Sequence, residues 1–274
     1  MLLAMVLTAL NASASHSTEL VVATYNLRLN LVSDGINAWP NRKEAVKALV
    51  RYHAFDVFGT QEALPDQVKD LEVMSEYARV GVGRDDGKDG GEHAAIFFRR
   101  TRFAPISRGD FWFSETPERP SKGWDARCCN RLATWVRLRD HASDKVFLFV
   151  SVHLDHEGIV ARRESVQLLL RWLAGQDASD AVIVLGDFNA TPDTEPIKAL
   201  GSALRDARLI SQLSPYGPVA TFNDFSLGSA PGPRIDYIFL GPGIEVRKYA
   251  VLTDSDGLHY PSDHFPVVAH LSLE

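Results

Sequence analysis

The stretch "VIVLGDFNAT", Val182 to Thr191, is apolar from Val182 to Leu185 and then presents Asp187 and Asn189 two positions apart. An unbroken aliphatic, β-branched run of this length reads as a strand buried on both faces. Side chains two apart on a strand leave the same face, so Asp187 and Asn189 emerge together where the apolar run ends. The same spacing pairs His153 with Asp155 in "SVHLDH" and Arg234 with Asp236 in "PRIDYIF". Carboxylates at buried strand ends are costly unless a metal, a cation or a hydrogen-bond donor meets them. Several such ends carrying Asp, Asn, His and Glu point to one shared polar site. The local alternative for "DFN" is an Asx-turn, in which the aspartate merely closes the chain on itself.

Outward from this stretch, strands dominate. "ELVVATYNLRL" (Glu19 to Leu29) and "FDVFGTQE" (Phe55 to Glu62) read as buried strands, and the middle of the chain adds "AAIFFRR", "FAPISRGDFWF", "RLATWVRLRD" and "KVFLFVSVHLD". Helices are expected at a few fixed points. Val46, Leu49, Val50 and His53 share one helix face, Pro65 opens a second helix, and Ile159 to Leu173 forms a long one with Val166, Leu169, Leu170 and Leu173 inward. A short helix near Glu195 to Leu200 follows, and "RIDYIFL", "EVRKYAVLT" and "FPVVAHLSLE" close the chain as strands. No repeat or linker interrupts this order. It predicts one domain of two packed sheets with helices outside.

The 274 residues carry a net charge of -6, which argues against a basic surface built to coat nucleic acid. A local cationic cleft or a bound dication remains compatible with that charge. Residues 1–18 read as a signal peptide and short tail, because Met1 to Leu10 is a short apolar run followed by "ASA" at Ala12 to Ala14. No Lys or Arg precedes that run. Cleavage would make the protein periplasmic or secreted; without it the protein would be cytoplasmic. No segment is long and apolar enough to span a bilayer, so no membrane insertion is expected. Adjacent cysteines seldom make a good disulfide, so Cys128 and Cys129 are expected as two partly buried thiols.

Six blocks, "TYN" (Thr24 to Asn26), "TQE" (Thr60 to Glu62), "SVHLDH" (Ser151 to His156), "GDFN" (Gly186 to Asn189), "RIDYIF" (Arg234 to Phe239) and "SDHFPV" (Ser262 to Val267), stand in one order. In that order they resemble the endonuclease/exonuclease/phosphatase superfamily, whose members include deoxyribonuclease I, abasic-site endonucleases, inositol polyphosphate phosphatases, neutral sphingomyelinases and deadenylase-type exonucleases. "GRDDGKDGGEHAAIFFRR" and "GDFWFSETPERPSKGWDA" look like a bacterial group allied to its deadenylase-like branch. The resemblance covers residues 19–274. It implies a four-layer αββα sandwich, two packed mixed β-sheets flanked by helices, acting as a Mg²⁺- or Mn²⁺-dependent hydrolase of phosphate esters.

Carried over block by block, the resemblance implies that Glu62 is the principal metal ligand, with Asn26 orienting it or a metal-bound water and Asp263 as a second carboxylate. A hard dication takes oxygen ligands and keeps several waters, so few carboxylates suffice. Asp187 would orient or deprotonate the attacking water, and Asn189 and His153 would hold the phosphate. His264 would approach the scissile phosphate, its ring fixed by Asp236. Abasic-site enzymes carry an acid where this chain has Arg28, which is expected to bind phosphate instead and to favour a single strong metal position. Asp155, Glu92, Arg131 and Phe222 are further candidates for substrate contact, each with a structural alternative: Phe222, for example, serves equally as a core anchor. The partner implied is a phosphate ester, whether oligonucleotide, nucleotide or small phosphorylated molecule, on a monomeric protein. A binding module that kept the fold but lost hydrolysis is the competing class.

Overall fold

Each apolar run becomes a strand, and the runs turn polar at the same end of the molecule. The computed structural model describes residues 18–228 and 232–273. The expected signal segment therefore lies outside the described residues, except Thr18, which already pairs with Leu273. One sheet is ordered β11 (Ile244–Val251), β12 (Val267–Leu273), β1 (Thr18–Asn26), β2 (Val57–Gln61), β4 (Ile96–Arg99), β3 (Tyr77–Val80). The other is β5 (Phe103–Trp112), β6 (Leu132–Asp140), β7 (Val146–His153), β8 (Ala181–Asp187), β10 (Asp236–Leu240), β9 (Arg205–Asp206). Both are mixed: β1 runs parallel to β2 and β7 parallel to β8, while their other neighbours run antiparallel.

Alternation along the strands sorts the core into layers. Leu20 and Val22 of β1, Val57 of β2, Phe147 and Phe149 of β7, and Ile183 and Leu185 of β8 fill the space between the sheets. Their in-between neighbours face outward onto helices. Ala23, Tyr25 and Phe58 meet Val46, Leu49 and Val50 of α1 (Trp39–Tyr52) and Val68 and Leu71 of α2 (Pro65–Glu72). On the far side Leu148, Val150 and Val184 meet Val166 and Leu169 of α3 (Ile159–Ala174) and Ile197 and Leu200 of α4 (Glu195–Ala203). This is the expected αββα sandwich. His53 departs from the helix face anticipated for it: it caps α1 and pairs with Asp254 at 2.9 Å. No helix among the described residues is long and apolar enough to cross a membrane.

Toward one end the inter-sheet layer changes character. Thr24 and Asn26 continue the inward row of β1, Gly59 and Gln61 that of β2, Ser151 and His153 that of β7, and Asp187 ends that of β8. Buried polar groups must find partners, and here they find them across the sandwich. Thr24 donates to Gln61 Oε1 at 3.2 Å, and Gln61 Nε2 donates to Ser151 Oγ at 3.2 Å. Gly59 makes that approach feasible, because a Cβ there would lie 2.6 Å from both Leu185 Cδ1 and Ser151 Oγ. Gly59→Val should therefore wedge the sheets apart at this end. We expect a stability loss of about 1–3 kcal/mol by denaturant titration, the usual cost of overpacking. Wild-type stability in this variant would show that the sheets do not need the close approach.

Candidate active site

The residues at the polar end are joined by one amide. Asn26 is fully buried, and its Nδ2 donates both to Glu62 Oε1 and to Asp187 Oδ2, each at 3.0 Å. Glu62 follows β2 in the same sheet, whereas Asp187 ends β8 in the other. The second Glu62 oxygen accepts from Leu29 N–H at 3.0 Å. Asn26 Oδ1 accepts from Arg28 N–H at 3.0 Å, so its own oxygen is held by the turn behind the cleft. Asn26 thus orients both carboxylates from beneath.

Asp187 Oδ1 accepts from Asn189 N–H at 2.9 Å, closing an Asx-turn. The local reading of "DFN" and the site reading hold together, since Asp187 Oδ2 is left to face the cleft. Asn189 lies beyond the strand with φ of +47°, and its Nδ2 donates to Leu154 O at 3.0 Å. Strand parity therefore does not place it; the turn does. Arg28 (φ +57°) and Glu62 (φ +63°) are left-handed as well, so three strand ends at one site carry backbone that L residues adopt at a cost of about 1–3 kcal/mol each.

Register supplies the remaining centre. His153 and Asp236 both lie opposite Asp187 on the strands flanking β8. His264 Nδ1 is 2.9 Å from Asp236 Oδ2 and its Nε2 is 3.9 Å from Asp187 Oδ2. The other Asp236 oxygen is buried without a hydrogen-bond partner among the described residues. Burial works against the charged form of His264, but Asp236, with Asp187 and Asp263 beyond it, holds its pKa well above an ordinary imidazole's. Burial, reinforced by the charge on Asp236, pushes Asp187 up to about 7 against the pull of His264. His153 is shifted the other way: burial and the nearby Arg131 and Arg84 guanidiniums hold it well below the usual range, and hence neutral.

These groups floor a cleft of about 880 Å³ whose walls differ in charge. On one wall Arg28 makes a bidentate pair with Asp34 at 3.0 and 3.1 Å, beside Asp263, whose carboxyl is raised by burial and by its neighbour Glu62. On the other, Arg131 Nη1 lies 3.1 and 3.0 Å from the two ring nitrogens of His153, and its Nη2 lies 2.7 Å from His156 Nδ1. Glu92 reaches this wall and pairs with Arg84 at 2.5 Å. Phe222 stands edge-on to the His264 ring at 5.2 Å.

Two expectations are corrected. Asp155 does not line the cleft: its Oδ1 accepts from the backbone of Glu157 (2.9 Å) and Gly158 (2.6 Å), and it stands behind Arg131 at 3.5 Å. It closes the turn that leads into α3, whose first N–H groups, at Val160 and Ala161, are met by Asp125 instead. Cys128 and Cys129 are not free thiols but a vicinal disulfide at the cleft rim, Cys128 exposed and Cys129 half-buried. Trp112 and Phe113 are packed, as their apolar setting suggests. Asp34, Arg84, Arg162 and Phe225 also line the cleft. None sits at a strand end beside another polar residue, so periodicity gave them no signal.

Glu62, Asp187 and His264 each offer a ligand atom, all within 4.8 Å of one another. Carboxylate oxygens held rigidly by amide donors, in a pocket too poor in cations to neutralise them all, suit a hard dication.

The residues that build this site fall within the span, 23–264, that matches the model of the Endonuclease/Exonuclease/phosphatase family. A family protein of that kind from Bacteroides thetaiotaomicron is 40% identical, with a TM-score of 0.90 over 94% of this chain and 99% of that one. A mannosyl-6-phosphatase from Bacteroides thetaiotaomicron is 41% identical, with a TM-score of 0.88 over 92% of this chain and 99% of that one. An uncharacterized protein, L388, of Acanthamoeba polyphaga mimivirus is 28% identical over 55% of this chain, a match spanning 59% of its own length. The chain belongs to the Endonuclease/Exonuclease/phosphatase family.

Proposed function

We propose that this protein is a divalent-metal-dependent phosphoesterase whose substrate is a small sugar phosphate. The observation that carries the reaction class is the meeting of Glu62, Asp187 and the His264–Asp236 pair at the floor of one cleft. The substrate class is supported by the likeness to a mannosyl-6-phosphatase across nearly the whole chain. A cleft of about 880 Å³ suits a small molecule, and a net charge of -6 lowers the prospect of work on long nucleic acids. Export, expected from the N-terminal pattern, would set the activity among extracellular phosphate esters.

Glu62, with Asp263 beside it, would hold Mg²⁺ or Mn²⁺. Bound there, the ion supplies Lewis-acid neutralisation of phosphoryl charge. Asp187, poised at about 7, accepts a proton from the water that attacks phosphorus in line with the leaving oxygen. His264, held cationic by Asp236, donates its Nε2–H to a phosphoryl oxygen as charge grows there. Neutral His153 and Asn189 orient the phosphate from the side of the second sheet. Arg131 reinforces that grip, and Arg28 approaches from the opposite wall. Phe222 and the carboxylates of Asp34 and Glu92 are placed to meet the sugar.

Phosphate release should be abolished by chelation and restored by Mg²⁺ or Mn²⁺, with Glu62→Gln weakening metal affinity more than stability. Turnover that persists in excess chelator would overturn the reading. Across a panel of a hexose 6-phosphate, a nitrophenyl phosphodiester and a single-stranded oligonucleotide, the hexose phosphate should give the highest kcat/KM. A preference for the oligonucleotide would return the protein to the nuclease side of its family.

Asp187→Asn and His264→Ala should each lower kcat by about 10² to 10⁴-fold, the scale for losing an acid–base group. Asp236→Asn keeps shape but removes the charge that favours the imidazolium, so His264 should titrate at lower pH by ring NMR. In the His264→Ala background the same substitution should cost little more, because the two act as a unit. Multiplicative losses would mean that Asp236 serves another group.

A further inference from the structure

Arg42 lies in the first turn of α1 with only 4% of its surface exposed, yet no carboxylate accepts a hydrogen bond from it among the described residues. Its guanidinium donates to backbone carbonyls instead: Asn37 at 2.5 Å, Leu27 at 2.7 Å, Pro261 at 2.8 Å and Arg28 at 2.9 Å. The rings of Trp39 and Phe225 each lie 5.3 Å from its Cζ. Burying a cation without a touching counter-charge is costly, and a helix that needed only packing here would do better with an aliphatic side chain. What the planar fork uniquely provides is several donors in fixed directions.

The carbonyls it gathers belong to the segments that carry the site. Leu27 and Arg28 lead to Leu29, whose N–H holds Glu62. Pro261 leads to Ser262, whose Oγ donates to Asn26 O at 2.7 Å, and then to Asp263 and His264. Asn37 ends the short 3₁₀ segment Val32–Asn37, which bears Asp34, the partner of Arg28. Gln67 of α2 adds a second donor to Arg28 O at 2.8 Å. Segments separated by more than two hundred residues in sequence thus share one guanidinium.

We propose that Arg42 is a positioning residue for the reaction, setting Glu62 and Asp263 in register with His264 by clamping the loop after β1 to the loop before β12. Its side chain does not line the cleft. The inference rests on the phosphoesterase reading for its kinetic consequences, but the clamp itself predicts effects on metal affinity and on His264 that do not need turnover.

The test compares Arg42→Met and Arg42→Lys with Val46→Ala, a packing change on the same helix away from the site. Each is measured for Tm by thermal melting and, at one fixed temperature, for Mn²⁺ affinity by calorimetry, the His264 ring titration by NMR, and kcat and KM with a hexose 6-phosphate. Arg42→Met should weaken Mn²⁺ binding and lower kcat by about 10–100-fold, the range seen when groups that orient ligands are lost. KM should change by less than about 3-fold, because the phosphate grip comes mainly from the opposite wall. Arg42→Lys should recover only part of the loss, since an ammonium lacks the planar fork. Val46→Ala should lower Tm while leaving Mn²⁺ affinity, kcat and the His264 titration within about 2-fold or 0.2 pH units of wild type. Equal losses in Val46→Ala at matched Tm, or wild-type Mn²⁺ affinity and His264 titration in Arg42→Met, would overturn the clamp. An Arg42→Met chain that fails to fold leaves Arg42→Lys to carry the same comparison. A wild-type protein that binds Mn²⁺ but hydrolyses no phosphate ester would sink the functional reading alone, with the metal and NMR measurements still deciding the role of Arg42.

Discussion

One amide links the two sheets where chemistry is to happen. Asn26 uses both Nδ2 protons on carboxylates that belong to different sheets, Glu62 and Asp187. Apolar packing between sheets fixes their spacing but supplies no directional contact. A hydrogen-bonded bridge between charged acceptors fixes direction as well. Its setting has a cost, because burial and the charge on Asp236 raise Asp187 to about 7 even though the Asn26 hydrogen bond favours the charged form. The charge of His264 offsets part of that repulsion, and a dication at Glu62 would offset more.

The backbone around the bridge is correspondingly stiff. At the ends of β1 and β8, an Asx side chain accepts from the N–H two residues on, and that residue, Arg28 or Asn189, is left-handed. The same local device therefore ends a central strand in each sheet. It turns the chain sharply away while leaving Asn26 Nδ2 for the two carboxylates and Asp187 Oδ2 at the floor of the cleft. Positions fixed in this way need little reorganisation during reaction, which is where electrostatic catalysis gains most.

Much of this was legible in the sequence because burial and parity are local signals. The apolar run Val182 to Leu185 ending on Asp187, the matching ends at His153 and Asp236, and the six blocks in order were sufficient for the layers and for the family. Parity failed at Asn189, which has already left the strand, and at Asp155, whose carboxylate closes the turn before α3. Asp34, Arg84 and Arg42 were silent for a different reason. Asp34 pairs with Arg28 and Arg84 with Glu92 across irregular loops, at offsets that follow neither the strand nor the helix period, and Arg42 acts through backbone carbonyls. The cysteine pair was misjudged on the general rarity of vicinal disulfides, a statistical prior that one loop can override.

The two walls of the cleft finally suggest why the fold divides its labour by sheet. Glu62 and Asp263 come from loops of the first sheet, both oxygens of Glu62 tied to neighbouring N–H groups. His153 and Asn189 come from the second sheet, with the buried Arg131 behind them. A phosphate ester needs both: a place for positive charge to be held against its oxygens, and neutral or cationic donors to fix its orientation. Acids are not confined to the first sheet, because Asp187 and Asp236 lie at strand ends of the second, where the two ring nitrogens of His264 approach them to 3.9 and 2.9 Å. Arg28–Asp34 and Arg84–Glu92 are pairs of opposite sign on the two walls, the second largely buried with Glu92 Oε2 3.7 Å from His153 Nδ1. On the phosphoesterase reading proposed above, these wall pairs would exchange with substrate hydroxyl groups while the floor would take the phosphate.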